Sequence, residues 1–130
     1  MSERKTTLVE LLLCRERLDN AQIRYIGFLL ERKVGVGIDD WRFYVDGPNS
    51  KRLLHDIEVM RGFGLVELLM EKTPDYNRLR YYLTEKGKRM LERILADKSM
   101  RDVAERVGMY IDAFSMTSLK ELSKMVRQYG

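Results

Sequence analysis

Gly47-Pro48-Asn49-Ser50-Lys51-Arg52-Leu53-Leu54-His55-Asp56-Ile57-Glu58-Val59-Met60-Arg61-Gly62-Phe63-Gly64-Leu65-Val66-Glu67 opens the stretch whose reading decides the fold. Thr73-Pro74-Asp75-Tyr76-Asn77-Arg78-Leu79-Arg80-Tyr81-Tyr82-Leu83-Thr84-Glu85-Lys86-Gly87-Lys88-Arg89-Met90-Leu91 closes it. The stretch reads as helix, strand, turn, strand, helix. Each boundary has a chemical cause. Pro48 cannot continue a preceding strand, and Asn49 or Ser50 can cap the orphan amides of a new helix. Leu53, Leu54, Ile57, Met60 and the stem of Arg61 recur at spacings of three and four, so they share one side of that helix. Gly62 or Gly64 ends it, because glycine takes the left-handed conformation cheaply. Leu65 and Val66 enter an extended segment. Leu79, Tyr81 and Leu83 alternate with Arg80 and Tyr82, the pattern of a half-buried strand. Thr84 then caps a helix whose apolar side carries Leu91, Ile94 and Leu95.

Working outward, residues 6–17 form a first helix, with Leu8, Leu11, Leu12 and Arg15 on one face and Val9 and Leu13 widening it. Asp19 or Asn20 caps a second helix, Ala21 to Lys33, striped by Ile23, Ile26, Leu29 and Leu30, and Gly35-Val36-Gly37 ends it. Trp41, Phe43 and Val45 alternate with Arg42, Tyr44 and Asp46, which predicts a short strand, with addition to the later hairpin as a third strand one of its options. Trp41 and Phe43 are expected in the core. The helix after Thr84 runs to about Asp97, and Lys98-Ser99 makes a break. Met100 to Phe114 is helical, and Thr117 or Ser118 caps a last helix carrying Leu119, Leu122, Met125 and Val126. The tail helices hold more apolar surface than they can hide from each other. They either pack on the core or form a dimer interface.

The expected fold class is therefore mainly α with a small antiparallel β hairpin or three-stranded wing. At 130 residues and 45% hydrophobic content, the chain is long enough for one domain with a core of its own. The net charge of +4 and pI near 9.2 are compatible with nucleic acid but too modest to argue for it. Segment charges agree: residues 50–65 carry a net of +1, residues 66–84 a net of 0 and residues 85–98 a net of +2.

Catalysis finds little to work with. The one histidine is His55 and the one cysteine is Cys14, so a Cys–His pair needs these two to meet. Cys14 sits in an apolar helix as a small hydrophobe. A zinc site needs four ligands of a kind this chain has two of. Asp39, Asp40 and Asp46 have no cation-binding spacing and read as loop caps and solvated charges. Gly35-Val36-Gly37 lacks the lysine and further glycine of a phosphate cradle. Neither an enzyme, nor a cofactor, nor a metal is expected. One cysteine permits no internal disulfide, no run approaches a membrane span, and Met1 to Thr7 is polar, so a cytoplasmic protein is expected.

The helix end at Gly62-Phe63-Gly64-Leu65-Val66-Glu67, the charged hairpin tip and the segment Arg78 to Glu92 resemble the second half of a winged-helix domain as found in PadR-like and MarR-like regulators. Trp41 to Ser50, an aromatic strand and a glycine–proline turn, is similar to the YwgA-like and Panacea-like group of small winged-helix proteins. The resemblance covers roughly residues 20–95. It implies a winged helix-turn-helix over residues 1–98, with residues 99–130 as a C-terminal helical extension.

It also implies DNA binding, with the central helix in the major groove and the hairpin on the backbone. Ser50, Lys51, Arg52 and His55 are the groove-facing candidates. Lys72, Arg78 and Arg80 are the wing candidates, and Lys86, Lys88 and Arg89 are further phosphate contacts. The expected partner is double-stranded DNA and the expected form a homodimer acting as a transcriptional regulator. Two features pull the other way. About fifteen residues separate the second helix from the central one, where a compact helix-turn-helix uses three or four. Asp56 and Asp75 would also oppose phosphate. The Panacea-like resemblance implies action through protein contact, so an antitoxin-like or adaptor module with a protein partner is the second expectation. Trp41, Tyr44, Tyr76 and Tyr82 are its candidate contacts.

Overall fold

The computed structural model describes residues 3–129. They form α1 (Glu3–Arg15), α2 (Asn20–Val34), β1 (Trp41–Tyr44), β2 (Gly47–Ser50), α3 (Lys51–Gly62), β3 (Val66–Lys72), β4 (Asn77–Leu83), α4 (Glu85–Leu95), α5 (Lys98–Ser115) and α6 (Leu119–Arg127). The protein is thus mainly helical, with two separate two-stranded antiparallel sheets, β1–β2 and β3–β4.

α1 is the central element. Leu8, Val9, Leu11, Leu12, Leu13 and Cys14 are all essentially inaccessible, so the helix is buried all round and not on one stripe. It is wrapped by α2, α3, α4, α5 and β4. It begins three residues earlier than the sequence suggests and stops at Arg15. The chain leaves it through Arg17, in a left-handed conformation at φ 59°. The tail helices pack back on this core, where Val107, Ile111, Phe114, Leu122 and Val126 are buried.

Most helix boundaries follow the local chemistry. Asp19 caps α2 in a reciprocal capping box with Gln22, and Gly35, left-handed at φ 70°, closes it. Ser50, Thr84 and Ser118 cap α3, α4 and α6. Besides the two ends of α1, one boundary differs. Lys98 and Ser99 do not break the chain; they lie in the first turn of α5, capped by Asp97, and the break falls at Ala96–Asp97.

Of the two options, the hairpin stays two-stranded, and Trp41 to Val45 does not add a third strand to it. β1 pairs with β2, in the register Trp41↔Ser50 to Tyr44↔Gly47. Pro48 belongs to β2, which has a partner on one side only, so the missing N–H breaks no ladder bond. The strand-like contact on β4 comes from elsewhere: Asp19 forms an isolated bridge to Arg80, and Tyr81 N–H donates to the Leu18 carbonyl at 2.9 Å.

Trp41 is half-buried against Gly27 and Phe28, with its indole N–H on the Ile38 carbonyl at 2.8 Å. Phe43 is not a core residue. It is 48% exposed, and its ring meets Phe28 edge-to-face, at 5.1 Å between centroids.

Candidate nucleic-acid interface

α3 owes its position to three buried residues, Leu53, Ile57 and Met60, which turn Lys51, His55, Glu58 and Val59 outward. Ser50, expected at the groove, is buried. Its hydroxyl donates to the Asp39 carbonyl at 2.6 Å and accepts from Leu53 N–H at 3.1 Å. It starts the helix and has no surface to offer a duplex, so it leaves the set of contact candidates.

The other basic candidates divide by what already holds them. Arg52 is three-quarters buried between Asp56 at 3.4 Å and Asp39 at 3.8 Å. Arg78 pairs with Asp19 at 3.1 Å and lies over the Tyr76 ring. Arg80 pairs with Glu71 at 2.8 Å and donates to the Arg17 carbonyl at 2.8 Å. These two arginines fasten β4 to β3 and to the α1–α2 turn, so moving to a phosphate would break those contacts. Lys86 donates to the Phe63 carbonyl at 2.7 Å, where it satisfies one of the orphan carbonyls at the end of α3. Lys88 pairs with Glu85 at 3.3 Å in a highly exposed contact that water and salt exchange easily.

Lys51, His55, Lys72 and Arg89 are exposed and have no hydrogen bond or ion pair among the described residues. Lys51 and His55 are one turn apart on the outer face of α3. Lys72 is at the tip end of the β3–β4 ladder, opposite Asn77. Arg89 is on the outer face of α4.

Around the same hairpin the surface is apolar where a DNA wing would carry charge. Leu69, Met70, Tyr76 and Leu79 are each close to half exposed, and Phe63 at the end of α3 is 64% exposed. Sequence reasoning missed this feature. Its signal is the consecutive run Leu68-Leu69-Met70, since an alternating strand leaves at least one of three adjacent apolar residues outside.

The two residues named for covalent chemistry are kept apart. Cys14 is fully buried in α1, and burial, helped by the nearby Glu10 charge, pushes its thiol up to about 12. A thiol so raised stays protonated and inert at neutral pH. His55 stands on the exposed side of α3, and no hydrogen bond joins the two among the described residues. Asp39, Asp40 and Asp46 do not converge on one point: each faces an arginine, Arg52, Arg42 and Arg24 respectively. Among the described residues no helix is long and apolar enough to cross a membrane. No family model, curated protein or solved structure matches this chain.

Proposed function

We propose that this chain is a winged-helix DNA-binding protein that acts as a transcriptional regulator, with α3 in the major groove and the β3–β4 hairpin as its wing. The element order supports the fold reading: α1, a strand-like Leu18–Asp19 along β4, α2, the inserted β1–β2 hairpin, α3, then the β3–β4 hairpin and α4. The observation that carries the DNA reading is the state of the cations. Lys51 and His55 are left uncommitted on the outer face of α3, while Arg52, Arg78 and Arg80 are engaged in holding the fold. Homodimerisation is part of the proposal. Met109 on the outer side of α5 and Met116 at its C-cap are 75% and 84% exposed, an apolar surface of the kind that a second copy covers.

The test is fluorescence anisotropy on a random-sequence duplex at several salt concentrations, with light scattering on the same sample. With three of the candidate cations free among the described residues, Lys51, Lys72 and Arg89, the logarithm of affinity should fall against the logarithm of salt with a slope of about −3 or shallower. Lys51→Ala should reduce that slope by about one. No binding at low salt, or a slope unchanged by Lys51→Ala with His55→Ala, rejects the reading. In that case a protein-interaction module on the same fold takes its place, favoured by the exposed Leu69, Met70 and Leu79 on a hairpin of no net charge.

A further inference from the structure

One edge of the β3–β4 hairpin is closed and the other is open. Tyr81 gives its N–H to Leu18, away from β3, so Tyr81 and its opposite residue Leu68 form a pair whose main-chain groups point apart. The neighbouring bonds agree. Thr84 N–H donates to the Leu65 carbonyl at 3.1 Å and Thr73 N–H to the Tyr76 carbonyl at 2.9 Å, which sets the hydrogen-bonded pairs at the odd-numbered residues of the strand. Val66, Leu68 and Met70 therefore aim their N–H and C=O groups outward, along an edge covered by no strand of the described residues. An open groove of about 520 Å³ runs beside this edge, between residues 66–69 and the end of α3 at Glu58, Arg61 and Gly62.

We propose that this edge takes an extended peptide segment of a partner protein as an additional strand, and that the segment alternates basic with apolar residues. Main-chain bonds give such a strand its affinity and the alternate side chains its specificity. The chemistry of the segment follows from β3. Successive residues face opposite sides of the hairpin, so an added strand meets Glu67 and Glu71 on one side and Leu68 and Met70 on the other. Glu67 is exposed and has no ion pair among the described residues. The strand already on the closed edge has this pattern: Arg78 and Arg80 alternate with Leu79 and Tyr81, and Arg80 meets Glu71 at 2.8 Å.

The usual defences of an edge are missing. There is no proline in β3, and its one lysine, Lys72, comes at the very end. A second copy fits less well, because pairing β3 with itself about Leu69 sets Glu67 against Glu71. DNA fits less well because Glu67, which has no ion pair among the described residues, repels phosphate, while the arginines beside it, Arg61 and Arg80, are held by Glu58 and Glu71.

The experiment uses the full chain and a capped eight-residue peptide alternating arginine with leucine and valine, with the glutamate-for-arginine peptide as its counterpart. Amide hydrogen exchange followed by NMR is the readout. The arginine peptide should slow exchange at Val66, Leu68 and Met70 and leave Glu67 and Leu69 unchanged, and the glutamate peptide should leave all five unchanged. Met70→Pro removes one outward donor without touching the ladder to β4 and should weaken binding about tenfold. Glu67→Lys, a surface change that keeps the proposal testable if the proline variant does not fold, should weaken it about threefold. The proposal is overturned if the arginine peptide does not bind at millimolar concentration, or binds without protecting those three amides. It is equally overturned if they become protected by protein concentration alone or by duplex DNA.

Discussion

The two hairpins are built on opposite plans. β1–β2 is short, and although Phe43, Tyr44 and Val45 are exposed, its turn and second strand are anchored. Arg24, only 6% exposed, donates to the Pro48 carbonyl at 2.9 Å, to Asn20 at 2.8 Å and to the Asp46 carbonyl at 3.4 Å. Tyr25 adds its hydroxyl to the Asp46 carbonyl at 3.1 Å, and its ring fills the space beside Gly47, whose φ of +108° already excludes a side chain. The polar groups at this turn are bound from within by α2. β3–β4 has strands of seven residues and is anchored only at its base and along one edge. Val66 and Tyr81 are buried there, while Met70 and Leu79, opposite each other nearer the tip, are exposed. The first hairpin uses its hydrogen-bonding capacity to join α2 to α3. The second keeps the main-chain groups of Val66, Leu68 and Met70 available along an open edge, a difference that exposed apolar side chains, present on both hairpins, do not make.

If the base of the second hairpin is as tightly anchored as this contrast requires, Gly87→Ala has the largest effect. Gly87 lies in the first turn of α4 against the Leu65 carbonyl, and an added Cβ would overlap that backbone oxygen. Thr84 and Lys86 tie the same turn to Gly64 and Phe63, so α4 cannot simply slide away. The expected loss is about 3–4 kcal/mol, seen as a lower urea midpoint at unchanged slope. An unchanged midpoint would mean that the base is loose, and the contrast would fail.

Arg24→Met tests the other side. It keeps the stem's packing but strips the donors from Pro48 and Asn20, and the expected loss is about 2–3 kcal/mol. The same change at Arg78, whose pair with Asp19 is partly exposed, should cost no more than about 1 kcal/mol. Equal losses at the two arginines would show that the first hairpin is no better rooted than the second.

What the sequence displayed and what it hid divide along the same line. Capping of α2 by Asp19, of α3 by Ser50 and of α4 by Thr84 was legible because each cap acts on an amide three residues away. The partner of β1 was not, because Pro48 signals the end of a strand unless its edge position is known. Burial of α1 on every side depends on α5, which lies some ninety residues further on. The run Leu8-Val9, Leu11-Leu12-Leu13 was a signal of it, since a helix apolar all round is an interior helix. Within the candidate site, the exposure of Lys51 and His55 on α3 was legible from their spacing, but the burial of Ser50 and most of Arg52, read as outward with them, was not. It could not reveal that Arg78 and Arg80 are held by Asp19 and Glu71, because those contacts depend on how the hairpin meets the α1–α2 turn.

The smallest effect is expected at Asp97, which lies in neither hairpin and so serves as a control on both. Its carboxylate accepts from the Ser99 hydroxyl at 2.8 Å and the Ser99 N–H at 2.9 Å, and it pairs with Arg4 at 3.1 Å. The Ser99 hydroxyl first, then the Ser99 N–H, then Arg4 hold it below the usual carboxylate range. A carboxyl lowered on folding stabilises the fold at pH above its unfolded value, and that contribution is lost as pH falls through the folded value. The stability gap between the parent and Asp97→Ala should therefore be constant near neutral pH and close on acidification. Asp97→Asn, which keeps a capping oxygen without the charge, should show a smaller gap with little pH dependence. Hydrogen exchange in the alanine variant should accelerate alike in both hairpins, because α4 and α5 support one shared core. Acceleration confined to β3–β4 would mean that the second hairpin opens as a unit of its own, and its open edge would then be an intermittent surface and not a standing one.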